Sequence, residues 1–309
     1  MYSVSISVLM CTFNGEKYIK EQLESIFRQT QKPNEVLILD DHSSDLTVEI
    51  IRTFIAKHSL NDSWAVEVNS ENLGYAQNFK NGMKRVTGEI VFFCDQDDIW
   101  EDKKIEYMVD YFNRYDDACV IGTDLIHFYP NGKEIIEGSL DGTIEKIKYE
   151  YKKDFIPHPA GCTMAVKRSY ILNKMELFSD TWSHDEFLWR VATVDGCCYR
   201  IHKCFMKHRM SGTNVTSIPF KNIHDRINQA ERNSNNYNQL LVYSESLKIP
   251  ERQIKIIRYF YIGNGYRFDY LVAPKFYKIL KLFLYLKIYP TKKQFFGDLY
   301  YTLISNTKG

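Results

Sequence analysis

Residues 89–100 read EIVFFCDQDDIW. The apolar run Ile90–Cys94 has the continuous character of a strand buried on both faces. Three aspartates then follow within four positions, before Ile99 and Trp100 turn apolar again. The flanks pull this segment inward and the carboxylates pull it towards water. A strand that stops at the lip of a core, with Asp95, Asp97 and Asp98 just beyond its carboxyl end, satisfies both demands.

The preceding chain repeats the pattern. A β-rich run, VSISVLMCTF (4–13), leads into EKYIKEQLESIFRQT (16–30), whose apolar residues Tyr18, Ile19, Leu23, Ile26 and Phe27 recur at helical spacing. EVLILD (35–40) is a short strand ending on acids, and DLTVEIIRTFIAKH (45–58) a helix that Asp45 can cap. WAVEVNS (64–70) is a third strand, Tyr75–Val86 a helix, and EDKKIEYMVDYFNRY (101–115) a further helix. ACVIGTDLIHFY (118–129) is a strand, and Pro130-Asn131-Gly132 a hairpin turn into KEIIEG. This alternation predicts an α/β fold, a mostly parallel sheet flanked by helices. Ligands of such sheets bind beyond the carboxyl ends of the strands. Three of those ends are polar or acidic here: Thr12-Phe13-Asn14, Asp40-Asp41 and Asp95-Gln96-Asp97-Asp98.

Past residue 150 the pattern loosens. GCTMAVKRS is strand-like, SHDEFLWRVATVDG a helix, and CCYRIHKCFMKHR a strand, whereas 222–305 reads as helices. The expected division is an α/β domain over 1–220, with halves at about 1–125 and 126–220, and a basic helical extension over 221–309. No internal repeat or low-complexity tract is present.

With 40 Lys and Arg against 39 Asp and Glu, the chain lacks the basic excess of a nucleic-acid-binding domain. Seven cysteines without C-x-x-C spacing read as reduced thiols in a reducing compartment. SVSISVLMC lacks the basic flank of a signal peptide, and no apolar run reaches the ~20 residues of a membrane span. The expected location is therefore cytoplasmic, with room for a peripheral position on the inner face of the cell membrane.

Clustered carboxylates repel one another unless a cation joins them. A hard divalent ion, Mg²⁺ or Mn²⁺, takes one or two carboxylates and completes its shell with phosphate and water. Asp95-x-Asp97 suits that task if the chain turns after Cys94, since alternate residues of an extended strand point to opposite sides. The competing role for Asp98 is capping a helix that begins near Trp100.

SVLMCTFNGEKYIKEQLESIFRQT (7–30), EVLILDDHSSD (35–45), NLGYAQNF (72–79) and FFCDQDDIW (92–100) occur in an order and spacing that resemble the nucleotide-sugar-binding half of the inverting family-two glycosyltransferases, which have the GT-A fold. Weaker matches run to about 217. The resemblance implies that Thr12, Phe13 and Asn14 lie against a pyrimidine base with Glu16 close by. Asp41 would accept from the base N3–H, and Asp40 would support that loop. Asn72, Gly74 and Asn78 would border the nucleotide and diphosphate, and Gln96 would join the donor contacts. Asp95 would face ribose and metal, and Asp97 would be the direct metal ligand.

On the acceptor side, the resemblance assigns Asp185 in SHDEFLW (183–189) as the base that takes the proton of the acceptor hydroxyl. His184, Glu186 and Gly161, the last in HPAGCTMAV (158–166), would line the acceptor entrance. In HRMSGTNVTS (208–217), aligning Arg209, Gly212 and Asn214 with the family's R-x-H-G-x-N puts Ser211 where histidine is commonest. Either His208 replaces that histidine near the metal, or the third protein ligand is absent; Arg209 could still meet a phosphate.

The implied activity is metal-dependent inverting transfer of a hexose to a lipid-linked glycan in O-antigen or capsule assembly. A uridine-diphosphate donor is favoured, with deoxythymidine-diphosphate-rhamnose as the alternative. The chain lacks the transmembrane helices and Q-x-x-R-W motif of a processive synthase. Rival readings are a non-catalytic nucleotide-sugar-binding module, which retention of Asp97 and Asp185 opposes, and a nucleotidyltransferase, for which CTFNGEKY is a poor phosphate loop. From Leu271 to Phe296 there are six lysines and no acid. That segment reads either as an interfacial anchor on anionic lipid or as a helix docked on the core with a solvated basic face.

Overall fold

The first strand, β1 (Ile6–Thr12), is flanked on both sides by strands parallel to it. After α1 (Ile19–Phe27), the chain builds β2 (Glu35–Asp40), α2 (Thr47–Lys57), β3 (Trp64–Val68) and α3 (Tyr75–Met83) outward on one side of β1. It then returns to lay β4 (Ile90–Cys94) on the other side, giving the parallel order β3-β2-β1-β4. The reversal makes the crevice between β1 and β4 a topological switch point, where α/β sheets bind ligands.

The computed structural model describes residues 4–155, 159–211 and 222–306. The chain divides into two compact units, Met1–Ile147 with Pro159–Gly212, and Lys148–His158 with Thr213–Gly309.

In the first unit, the apolar strands are buried on both faces because helices cover both. Ile6, Val8 and Met10 of β1 pack in one core with Leu23 and Ile26 of α1 and Phe54 of α2. Leu9 and Leu39 point the other way, towards α3 at Gly82. Each such side chain removed from water contributes roughly 1.5–3 kcal/mol. Beyond β4 the sheet is mixed. A two-residue strand, β5 (Ile99–Trp100), precedes α4 (Lys104–Arg114), β6 (Val120–Phe128), β7 (Glu134–Glu137) and β8 (Ile144–Lys146). β7 folds back on β6 as the Pro-Asn-Gly turn predicts. Then come β9 (Ala165–Lys167), α5 (Arg168–Lys174), α6 (His184–Asp195) and β10 (Cys198–Arg209). β9 runs antiparallel between β4 and β6, and β10 runs parallel to β6. The structure corrects one boundary here. No helix starts at Trp100: Ile99 and Trp100 pair antiparallel with Lys207 and Met206 of β10, and α4 begins at Lys104.

In the second unit, α7 (Ile223–Ser246), whose first turn is capped by the Asn222 side chain, and α8 (Glu251–Val272) form a helical hairpin. α9 (Phe276–Phe283) and α10 (Lys292–Asn306) follow. Phe155 is wedged between Tyr237 of α7 and Phe260 of α8, with ring centroids 5.0 and 4.2 Å away. Asp298 of α10 is fully buried and is held by Arg226 at 2.7 Å, Arg267 at 2.7 Å and the Tyr289 hydroxyl at 3.0 Å. All seven cysteines of the chain are free thiols.

Candidate active site

The loops after β1 and β2 are stitched together by hydrogen bonds. Asp40, fully buried, accepts from Thr12 Oγ1 at 2.8 Å, from Ser43 N at 2.8 Å and from Ser43 Oγ at 2.6 Å. Asn14 takes the left-handed φ of 47°, which asparagine tolerates better than most residues. Its N–H donates to Ser43 Oγ at 2.8 Å, and its Oδ1 accepts from Ser44 N at 2.9 Å. Glu16 Oε2 accepts from Leu46 N at 3.0 Å. Thr12 and Glu16, expected beside a base, therefore act as struts in this structure. The Phe13 ring stays 45% exposed at the lip.

Asp41 has a structural task that residue type does not reveal. It accepts from Asn69 Nδ2 at 2.9 Å, Leu73 N at 2.8 Å and Gly74 N at 2.8 Å, closing the loop that leads into α3. Asn72 Nδ2 adds a 3.2 Å bond to the Asp41 carbonyl. Asn78, expected to border the nucleotide and diphosphate, is buried within the loop's supports. It is 1% exposed, and its amide joins the Leu39 carbonyl at 2.9 Å to Asn69 at 3.0 Å.

The acidic loop after β4 is tied across the switch point. Gln96 Oε1 accepts from Phe13 N at 2.8 Å, while its Nε2 donates to Phe13 O at 3.0 Å. A Cβ on Gly15 would collide with the Gln96 side chain, so this clamp needs glycine there. Gln96, expected to contact the donor, instead fixes the distance between the two loops. Asp95 and Asp97 remain partly open to water, whereas Asp98 is fully buried and accepts from Arg209 N at 3.0 Å. Asp98 thus caps a strand backbone rather than a helix. The Arg209 guanidinium lies between the Tyr18 and Phe128 rings, 4.3 and 4.4 Å from their centroids. It donates through Nε to the Asp97 carbonyl at 2.8 Å and is ion-paired with Glu21. Its position clamps the acidic loop from the side.

Charge in this loop is left under-compensated. Burial, then the neighbouring Asp98 and Asp97, push the Asp95 carboxyl up to about 7; His208 opposes the rise, and Asp185 adds to it. Asp98 is likewise pushed up to about 7 by burial and by Asp97. Asp97 is raised by burial against the pull of His208 and Arg209. Beneath them lies a cation that sequence reading missed. Lys104, fully buried, donates to the Cys162 carbonyl at 2.6 Å and sits 3.8 Å from the Trp100 ring centroid. Burial lowers its ammonium to about 8. Its helical position resembled that of a surface lysine, and only the packing of β5 and Cys162 over it puts it inside.

His208 is positioned from behind. Its Nδ1 lies 3.1 Å from His127 Nδ1, and His127 Nε2 lies 2.8 Å from Glu137. At the start of α6, Asp185 Oδ1 accepts from Glu186 N at 2.8 Å, which holds the carboxylate at the helix N-terminus. Both neighbours are engaged within the protein. His184, expected at the acceptor entrance, is 4% exposed and stacks on Phe79 and Phe93, with centroids 3.9 and 4.8 Å away. Glu186 pairs with the buried Arg190 at 2.8 Å, one turn along the same helix. A Cβ on Gly161 would collide with the His184 ring, so glycine there leaves room for that ring beside Asp185. Gly212 and Asn214 lie outside the described residues.

The donor set fits a hard divalent cation, with one revision. Among the described residues, Asp95, Asp98 and Cys162 bring ligand atoms within 4.8 Å of one another. Burial and the nearby acids keep the Cys162 thiol protonated, and a neutral thiol is a poor ligand for Mg²⁺ or Mn²⁺. Asp98 and Cys162 therefore form the inner wall. Asp95 and Asp97 offer oxygens on the open side, and His208 is close enough to act on both electrostatically.

A switch-point crevice, acids at two strand ends and an aspartate at a facing helix start define the donor-binding architecture of a GT-A glycosyltransferase. Residues 7–172, more than half the chain, match the model of glycosyl transferase family 2, and the chain belongs to that family. It is 29% identical over 233 residues to the dTDP-rhamnosyl transferase RfbG of Shigella flexneri, covering 71% of this chain and 78% of that one. It is 26% identical over 222 residues to WfgD of Escherichia coli, a UDP-Glc:alpha-D-GlcNAc-diphosphoundecaprenol beta-1,3-glucosyltransferase, covering 71% and 82%. Among solved structures it resembles S. aureus TarS 1-349 in complex with UDP-GlcNAc, with a TM-score of 0.67 at 17% identity over 90% of this chain and 78% of the other. The mannosyltransferase PcManGT of Pyrobaculum calidifontis, in complex with GDP-Man and Mn²⁺, gives 0.56 at 15% identity over 100% and 87%. The family match decides against a nucleotidyltransferase.

Proposed function

We propose that the chain catalyses metal-dependent, inverting transfer of a hexose from a nucleoside-diphosphate sugar to a lipid-linked glycan acceptor in surface-polysaccharide assembly, on the cytoplasmic side of the cell. The observation that carries this reading is the under-compensated trio Asp95, Asp97 and Asp98 at the switch point, with Asp185 close enough to raise the Asp95 carboxyl further. Carboxylates held this way favour a bound cation and its phosphate ligands.

Asp95 and Asp97 would hold Mg²⁺ or Mn²⁺, with His208 as the candidate third group. Bound there, the ion would supply Lewis-acid stabilisation of the departing nucleoside diphosphate. The protein's own part is positional and protolytic. The stitched loops 12–16 and 40–47 present the Phe13 ring to the base, and Gln96 keeps them in register with the acids. Asp185, oriented by the Glu186 N–H, takes the proton of the acceptor hydroxyl as that oxygen attacks the anomeric carbon. One displacement with one base inverts the anomeric centre.

A uridine-diphosphate donor is the favoured reading. A deoxythymidine-diphosphate-rhamnose donor is the second, favoured by the similarity to RfbG. The lipid-linked acceptor is supported by the diphosphoundecaprenol in the name of WfgD. Donor hydrolysis measured across a panel of nucleotide sugars, with Mn²⁺ and with chelator, tests the proposal. Metal-dependent release of sugar from one donor class is expected. No release from any donor, or release indifferent to chelation, would refute it.

A further inference from the structure

The helical unit carries an apolar surface that its own core leaves uncovered. In α9, Phe276, Tyr277, Leu280, Phe283 and Leu284 are between 52 and 76% exposed. Their spacing of i, i+1, i+4, i+7 and i+8 places them on one side of the helix. Only Leu282 of α9 is buried. α10 repeats the arrangement: Phe296, Tyr300 and Leu303 are 62, 59 and 67% exposed at i, i+4 and i+7, while Phe295, Asp298 and Thr302 face inward. Ten of the 21 exposed large apolar side chains among the described residues fall within 272–303, so the clustering is not the usual scatter of a soluble surface.

Charge identifies the occupant. Lys275, Lys278, Lys281, Lys287, Lys292 and Lys293 accompany these faces, and none is ion-paired among the described residues. The single acid in 272–306 is Asp298, which is buried and neutralised by Arg226 and Arg267. Lys278 donates to the Asp269 carbonyl at 2.7 Å and Lys281 lies over the Tyr266 ring, so Lys275, Lys287, Lys292 and Lys293 form the positive fringe of an aromatic and aliphatic surface. A protein partner rich in acids would match the lysines but not the broad apolar stripe. An anionic bilayer matches both, with phosphates at the headgroup level and hydrocarbon beneath. Neither helix is long and apolar enough to cross a membrane, which leaves a position in the interface.

We propose that α9 and α10 form a membrane-docking face whose Phe, Tyr and Leu side chains enter the headgroup–acyl boundary while the lysines bind anionic lipid phosphates. This rests on the helical unit alone, so vesicle binding and sugar transfer can fail separately.

Flotation of the full chain with vesicles tests it. Binding to phosphatidylglycerol–phosphatidylethanolamine vesicles is expected, and phosphatidylcholine vesicles should bind at least tenfold more weakly. Raised salt should reduce the binding without abolishing it, because each lysine contributes roughly fivefold while the inserted rings are unscreened. The triple variant F276S/L280S/L284S should lose about tenfold or more in vesicle affinity while keeping its unfolding temperature, since all three side chains are exposed. In a separate F276W variant, Trp emission should shift to the blue on adding anionic vesicles. Absence of flotation at low salt, equal binding by the triple variant, or no blue shift would overturn the proposal. So would a dimer that the triple variant converts to monomer without any vesicle binding, since the face would then join two copies of the chain.

Discussion

Two buried acidic constellations, one in each unit, are built on opposite principles. Asp298 in the helical unit meets two arginines and a tyrosine hydroxyl within 3.0 Å, a complete set of partners for one carboxylate. Asp95, Asp97 and Asp98 in the catalytic unit are three carboxylates with one buried lysine beneath them, and two of the three are pushed up to about 7. Arg267 shows the contrast from the other side: burial alone would lower its guanidinium, yet Asp298 holds it above its ordinary value. A structural acid brings its cations with it. On the proposed function, an acid cluster left short of cations takes one that arrives with a ligand.

That contrast can be broken first through chemistry. Asp97→Asn is expected to reduce donor turnover by about 10³ or more, on the order of an electrostatic transition-state contribution. Thermal unfolding should show little destabilisation, because the substitution removes a repelled charge. A large loss of stability with retained turnover would make the cluster structural like Asp298. Asp185→Asn should lower kcat by about 10²–10⁴ and leave nucleoside-diphosphate affinity near wild type in calorimetry, which separates the base from the donor site.

The converse substitution is Asp298→Ala. It leaves two buried guanidiniums without their carboxylate and should destabilise the protein by about 3–5 kcal/mol, read from denaturant unfolding.

The pH dependence is a finer discriminator. Asp95 and Asp98 sit near 7 when folded, against about 3.9 for an unperturbed aspartate. The folded state therefore binds more protons than the unfolded state between these values. Stability contributed this way is complete below about 4 and is lost as pH rises through about 7. In chelator, the unfolding temperature should fall between pH 5 and pH 8. Mn²⁺ with nucleoside diphosphate should reverse the fall at pH 8, and Asp98→Asn should flatten it. The smallest expected effect belongs to Gln96→Ala, which removes two hydrogen bonds of about 1 kcal/mol each. It should raise the donor KM by roughly tenfold while changing kcat less.

The first 125 residues were legible because their signals are local. Continuous apolar strands, helical spacing and acids at strand ends gave β2 its observed bounds, and brought Asp40, Asp41 and Asp95 to one edge. What stayed hidden was set by partners far along the chain. β5 exists because Met206 and Lys207 lie across from it. Asn78 and His184 have residue types suited to ligands, but their orientation is decided by Asn69, Leu39, Phe79 and Phe93. Lys104 follows the same rule. A charged side chain in the first turn of an amphipathic helix is ordinarily solvated, and nothing near it in sequence announces the cover supplied by Cys162 and Trp100.

The most direct test of the central claim is calorimetric titration of uridine and deoxythymidine diphosphates into wild-type protein and Asp97→Ala, each with Mn²⁺ and with chelator. The cluster described here predicts binding of one of the two to wild type with Mn²⁺, weakened at least tenfold by chelation and by the substitution alike. Equal affinity in all four conditions would contradict it.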